Sequence, residues 1–213
     1  MKSYQFLVTL NNVKPKVWRR FLVPTTFDFF ELHSVIQISV GWTNSHLFNF
    51  LIADSTNNKT IELVADEESV EENFGMIQHY MKNPPEKGSF DEKMYQRLIR
   101  IQLLLARDVT LSQYVVEFPE FSYMYDFGDG WEHEIVMEKV VEDYNHDYPQ
   151  VLEGKGTCPP EDVGGPPGYD EFKRVIKDKE DPEHAHMNAW GKEQGYKKFN
   201  LAKVNASLME EWV

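Results

Sequence analysis

Cysteine is nearly absent: Cys158 is the only one in 213 residues, so no disulfide can form within the chain. No apolar stretch approaches the ~18 residues of a membrane span. No charged-then-apolar leader precedes the first strand-like run at Tyr4. The expected setting is therefore the cytoplasm, with no membrane partner. Positive charge is also scarce, with 22 Lys and Arg against 35 Asp and Glu, a net charge of −13. Nucleic-acid binding draws its affinity from Lys and Arg, and a phosphate backbone repels an acidic surface. Nucleic acid is thus not the expected partner. Glycine and proline are sparse except in residues 154–168, which hold five Gly and four Pro. That segment is expected to form a stiff irregular loop. A second segment, 65–89, starts with Asp66, Glu67, Glu68, Glu71 and Glu72 and turns rich in Pro and Gly; an acidic solvated loop is expected.

Apolar side chains make up 41% of the chain and aromatics 14%, which suffices for a core without metal or disulfide support. Tyr4, Phe6, Val8 and Leu10 alternate at the period of a strand. Val17–Val23 reads as its hairpin partner across Asn11, Asn12 and Pro15. Asp28 and Glu31 form an Asp variant of the capping box, and Phe29, Leu32, Val35, Ile36 and Val40 follow at helical spacing to a stop at Gly41. His46–Ala53 and Thr60–Val64 read as strands about an Asn57-Asn58 turn. Met94, Leu98, Ile101 and Leu105 form one helical stripe. Thr110 and Gln113 make a further capping box. Helices are expected from Tyr169 to Ile176, from Asp181-Pro182 toward Trp190, and around Val204, Leu208 and Trp212. The fold expected is α+β: one domain over residues 1–213, a mostly antiparallel sheet of hairpins with helices on one face, and a helical part at 168–213.

The most specific segment is the aromatic hairpin Phe121–Met137. A three-residue loop, Gly128-Asp129-Gly130, would pair Phe127 with Trp131, Tyr125 with His133, Tyr123 with Ile135 and Phe121 with Met137. Gly130 supplies the left-handed residue such loops end on. In that register His133 lies on the core face beside Tyr125, and Asp126 stands opposite Glu132. Like charges directly opposed are destabilising, which makes Arg19 and Arg20 candidate cations for that edge.

Most familiar motifs fail on their context. Asp126-Phe127-Gly128 spells the kinase metal triplet, yet no nucleotide loop or His-Arg-Asp loop accompanies it. The glycines of 154–168 lack the Gly-Lys-Ser/Thr of a phosphate loop. Cys158 has no second cysteine at metal spacing, so an inert buried thiol is expected. Glu161 and Asp162, held between Pro160 and the glycines, form a rigid turn able to present two carboxylates.

Several segments in order carry a resemblance. They are Trp18-Arg19-Arg20, Leu32-His33, Gly41-Trp42, His46-Leu47, Tyr125-Asp126-Phe127-Gly128-Asp129 with Trp131 and His133, and Cys158-Pro159-Pro160-Glu161-Asp162 with Gly164-Gly165 and Gly168-Tyr169. Together they resemble the plasmid pRiA4b ORF-3 family of bacteria and archaea, from about Tyr4 to Leu208. The resemblance implies one α+β domain and an association with plasmids and mobile elements; it implies no activity. Many members read Cys-Pro-Pro-Glu-Asp-Cys where this chain has Val163 in place of the second cysteine, which removes a thiolate metal pair. No serine is placed like a resolvase nucleophile.

Three functions compete on these grounds. The first is a non-enzymatic module that binds a protein or small-molecule partner through an aromatic groove near the 128–130 tip. Its contacts would be Arg19, Arg20, Trp42, His46, Asp126, Asp129, Trp131, His133, Glu161 and Asp162. The second is a metal-dependent hydrolase, with ligands drawn from His46, His133, Glu161 and Asp162 and a divalent metal as the one cofactor the residues admit. The third is a DNA-associated accessory protein of mobile elements, which the net charge opposes.

Overall fold

The alternation of apolar residues along the chain is realised as one large sheet, seen in a computed structural model that describes residues 1–213. Strands β1 (Ser3–Leu10) and β2 (Val17–Pro24) form the first hairpin, and helix α1 (Phe29–Val40) follows. Then come β3 (Phe48–Asp54), β4 (Lys59–Val64), α2 (Glu67–Lys82), α3 (Phe90–Leu98) and β5 (Ile101–Leu105). Strands β6 (Glu120–Tyr125), β7 (Trp131–Val141) and β8 (Gln150–Lys155) precede α4 (Gly165–Lys177), α5 (His184–Glu193) and α6 (Leu201–Trp212). The eight strands run in the order β5-β4-β3-β6-β7-β1-β2-β8, antiparallel throughout except for the β4–β5 pair at one edge. This is the expected α+β fold. No helix is long and apolar enough to cross a membrane.

One face of the sheet carries Phe6, Phe21, Phe50, Tyr123 and Ile135, all fully buried. Helix α1 packs there, its Phe29 ring 5.3 Å from Phe50 and 5.8 Å from Phe121. Asp28 and Glu31 close the predicted capping box, and Gly41 ends the helix at φ 90°, a left-handed conformation glycine adopts at no steric cost. The core is continuous from Tyr4 to Leu208, so the helical part at 168–213 shares it with the sheet. The opposite face is polar. Arg20 reaches Glu138 at 2.7 Å and also Glu153, and Gln5 reaches Glu138 at 2.6 Å.

Four expectations are corrected. Residues 65–89 are not a loop: α2 fills most of the segment. Asp66 caps it by accepting from Ser69 N, Glu67 and Glu68 sit in the first turn, and His79 and Lys82 in the last. These charges suit the helix dipole. The helix buries no residue; Val70, Phe74, Ile77 and Met81 recur along it at helical spacing, a stripe masked by the acidic run and by the Pro and Gly that follow. The stripe from Met94 to Leu105 is half helix and half strand, because Ile101–Leu105 leaves α3 to pair with β4, where Thr60–Val64 offers backbone partners. The Pro/Gly segment 154–168 is shorter than expected. Gly154 and Lys155 close β8 against β2, and α4 already begins at Gly165, with Pro166 and Pro167 in its first turn where no N–H is needed.

The hairpin register is the fourth. Tyr125 pairs with Trp131, Tyr123 with His133 and Phe121 with Ile135, so the loop is the five residues 126–130. Asp126 sets it: its carboxylate accepts from Gly128 N and Asp129 N, and its carbonyl from Gly130 N. Moving the pairing by two positions keeps the strand side chains on their expected faces, but Phe127, expected on the core face, falls in the loop and is exposed. Met124, not Asp126, stands opposite Glu132. The like-charge opposition that made Arg19 and Arg20 candidate cations therefore does not exist.

Candidate functional site

The core beneath α1 is a closed polar network. Gln37 Nε2 donates to Tyr123 Oη at 2.9 Å, and Tyr123 Oη lies 2.7 Å from His33 Nδ1. His33 Nε2 lies 2.7 Å from Asn44 Oδ1, and Asn44 N donates to Gln37 Oε1. Only one assignment satisfies all four groups: Tyr123 donates to Nδ1, and the Nε2 proton goes to the Asn44 carbonyl oxygen. Burial favours this neutral ring and holds the His33 pKa at about 4. His33 also stacks on Phe48, with centroids 3.7 Å apart. His133 is a core residue too, its Nδ1 3.1 Å from Trp131 O and its ring edge-on to Trp42. Burial lowers it likewise to about 4.

Three loops meet at the end of β6: residues 41–47, 126–130 and 158–165. Glu161 ties them. Its Oε1 accepts from Tyr125 Oη at 2.5 Å, and its Oε2 accepts from Thr43 N and Thr43 Oγ1. Tyr125 Oη accepts from Ser45 N, and Trp42 Nε1 donates to Pro159 O. The hydrogen bond to Glu161 and burial both hold the Tyr125 phenol well above its ordinary pKa, burial first. Asp129 Oδ2 accepts from Gly164 N, and Gly165 lies so close to Asp129 O that a Cβ would stand 2.4 Å from it. A side chain at 165 would push the loops apart.

His46, Asp126 and Asp162 converge on this junction. His46 Nε2 is 3.1 Å from Asp162 Oδ1 and 3.7 Å from Asp126 Oδ2, and the three ligand atoms lie within 4.8 Å of one another. Nε2 is shielded from solvent yet makes no aligned hydrogen bond to either carboxylate. Asp126 (φ 54°) and Asp162 (φ 59°) both hold left-handed backbone, as does Asn44 (φ 58°) in the third loop. Such conformations cost energy for non-glycine residues and concentrate at functional sites, with Asp and Asn the most tolerant. Donor atoms about 2.1 Å from one ion stand roughly 3–4 Å from each other, and the two distances from His46 Nε2 to the carboxylates fall in that range.

The ten candidate residues divide sharply. His46, Asp126 and Asp162 come together, with Asp129 and Glu161 bracing the loops beside them. His133 and Trp131 are buried in the core, so neither offers a ligand or a groove wall. Arg20 belongs to the outer face. Arg19 is buried away from Asp126, donating to Ser39 O, Trp18 O, Lys155 O and Gly156 O. Cys158 is buried, and burial pushes its thiol up to about 11 against the nearby Arg19 charge. Sequence reasoning missed Tyr125 and Thr43 as braces; Tyr125 lies in a recognised motif segment and Thr43 between two of them, but their role depends on which loops meet.

The family model of plasmid pRiA4b ORF-3-like proteins matches residues 2–207. The chain belongs to this family. The uncharacterised protein y4hQ of Sinorhizobium fredii is 36% identical over 206 residues, 97% of this chain and 88% of that protein. Among solved structures, a protein of unknown function, MM3350 from Methanosarcina mazei Go1, matches 89% of each chain at 27% identity and a TM-score of 0.68. A bacterial sequence and an archaeal structure thus each match most of the chain. Its relatives carry no stated activity, so the reading of the site rests on geometry.

Proposed function

We propose that the three-loop junction holds a divalent metal ion through His46 Nε2, Asp126 Oδ2 and Asp162 Oδ1, and that the protein is a metal-dependent hydrolase. The observation behind it is the convergence of one imidazole and two carboxylates, from three separate loops, around a ring nitrogen with no aligned hydrogen bond. One neutral and two anionic donors suit Zn²⁺ or Mn²⁺. Three protein ligands leave coordination positions for water, whose pKa a bound ion lowers toward neutrality. Leu47 and Phe127, each next in sequence to a ligand, are about half exposed (51% and 56%) and offer apolar contact to a substrate at the mouth.

The reading is tested by elemental analysis of protein purified without a His tag, with calorimetric titration of Zn²⁺ and Mn²⁺ into the metal-free form. Stoichiometric binding that Asp126→Asn and Asp162→Asn each weaken is the expected result. Absence of bound metal together with no heat on titration would end the proposal.

A further inference from the structure

Trp42 serves two sites. One side of its ring stacks on Tyr125 at 5.0 Å, at the loop junction, and the residue also lines a separate cavity of about 390 Å³. That cavity lies between the end of α1, Cys158-Pro159 and the segment from Gln194 to Ser207. Its charge is opposite to that of the rest of the molecule. Lys197, Lys198 and Lys203 line it together with Arg19, and no aspartate or glutamate does, in a chain that has 35 of them.

Arg19 makes the imbalance acute. Its side chain is buried and all its bonds go to carbonyl oxygens and the Cys158 thiol, so no carboxylate neutralises it. A buried charge is costly unless an opposite charge accompanies it. Carbonyl dipoles satisfy its donors but leave its formal charge. Phe199 covers the guanidinium at 4.0 Å, and Tyr196 packs edge-on to Phe172, with centroids 5.0 Å apart. The twelve-residue helix α6 starts at the same wall, its cap Asn200 and Lys203 both lining the cavity; its N-terminal dipole adds to the positive field.

We propose that this cavity binds a small anion that carries a planar ring, its phosphate or carboxylate held by Lys197, Lys198 and Lys203 and its ring against Trp42, Tyr196 and Phe199. The volume falls in the range of small-molecule sites, and four cations without a counter-charge select the anion. The site does not depend on a metal at His46.

The test uses the full chain in metal-free, low-salt buffer, followed by tryptophan fluorescence and calorimetry. The probes are adenosine monophosphate, benzoate, adenosine and inorganic phosphate. Saturable binding of adenosine monophosphate or benzoate is expected, and which of the two binds tells phosphate from carboxylate. Adenosine and inorganic phosphate should each bind about tenfold or more weakly, since each lacks one half of the recognition. Lys198→Glu and Lys203→Glu, both on exposed side chains, should each weaken binding by about tenfold or more while circular dichroism stays unchanged. Three outcomes overturn the proposal. They are no saturable binding of either ring-bearing anion up to ~10 mM, uncharged adenosine or bare phosphate binding equally well, and charge-reversal variants that keep wild-type affinity.

Discussion

Tyr123 and Tyr125 leave the same face of β6 two residues apart and enter two different polar environments. Tyr123 joins a set with Gln37, His33 and Asn44, in which its hydroxyl and both His33 ring nitrogens have partners. Tyr125 joins Glu161, Thr43 and Ser45 at the loop junction, and just beyond it His46 Nε2 faces two carboxylates without an aligned bond. The first region has no capacity left for a ligand and specifies the core. The second keeps one nitrogen and two carboxylates in reserve, on strained backbone. His46 is set apart by the two carboxylates it faces, since His133 Nε2 is likewise buried without a partner but lies among aromatic rings.

That contrast breaks most visibly in acid. His33 and His133 have folded pKa values near 4, below the unfolded value of ~6.5. The unfolded chain therefore takes up protons first. Their stabilisation is complete above about pH 6.5, declines as pH falls toward 4 and changes no further below that. The slope reaches about 1.4 kcal/mol per pH unit for each histidine. Denaturant unfolding at pH 7 and pH 5 measures it, and His133→Phe should remove half of it. Equal stability at the two pH values would show that these rings are not held neutral.

Tyr123→Phe should be next in size. It strips a donor from His33 and an acceptor from Gln37 in a fully buried place, which costs about 1–3 kcal/mol. At about 2–4 °C per kcal/mol for a chain of this size, thermal melts resolve it. Metal titration of the same variant should be unaffected, and a lost metal site would join the two regions that the comparison separates.

Asp162→Asn sharpens the other half. Its side chain is 67% exposed, so stability should move by no more than about 0.5 kcal/mol. Metal affinity should nevertheless fall by about tenfold or more, as for loss of a charged contact. A stable variant with unchanged metal affinity would remove Asp162 from the ligand set.

Phe127→Ser should do least. The ring is 56% exposed at the hairpin tip, and the expected stability change is under about 0.5 kcal/mol. A larger loss in chemical denaturation would mean that the tip belongs to the core half of the comparison.

Much of the fold was legible because its signals are local. The β1–β2 hairpin, the α1 capping box with Gly41 and the aromatic face of the 121–137 hairpin follow from side-chain period and cap chemistry alone. The misreadings arose where local signals were equal or outweighed. Ile101–Leu105 suits helix or strand, and the open edge of β4 decided for strand. Helix α2 carries Val70, Phe74, Ile77 and Met81 at helical spacing, but the acidic run and the nearby Pro and Gly outweighed that stripe. The candidate site was legible in part. His46, Asp126 and Asp162 stood among the residues singled out, but Arg19, Arg20, Trp131 and His133 stood there equally.

The sequence by itself determined the α+β class, the family and the faces of the side chains within strands β6 and β7, because two-residue and 3.6-residue periods are properties of the chain. Only the tertiary structure decided that loops joined by contacts 35 to 118 residues apart close on one another. Glu161 and the Gly165 contact do that through space, where sequence distance carries no information. The same closure turned Asp126 from one member of an acidic edge into a partner of His46. It also gathered Lys197, Lys198 and Lys203 against Arg19, which the chain keeps well over a hundred residues away.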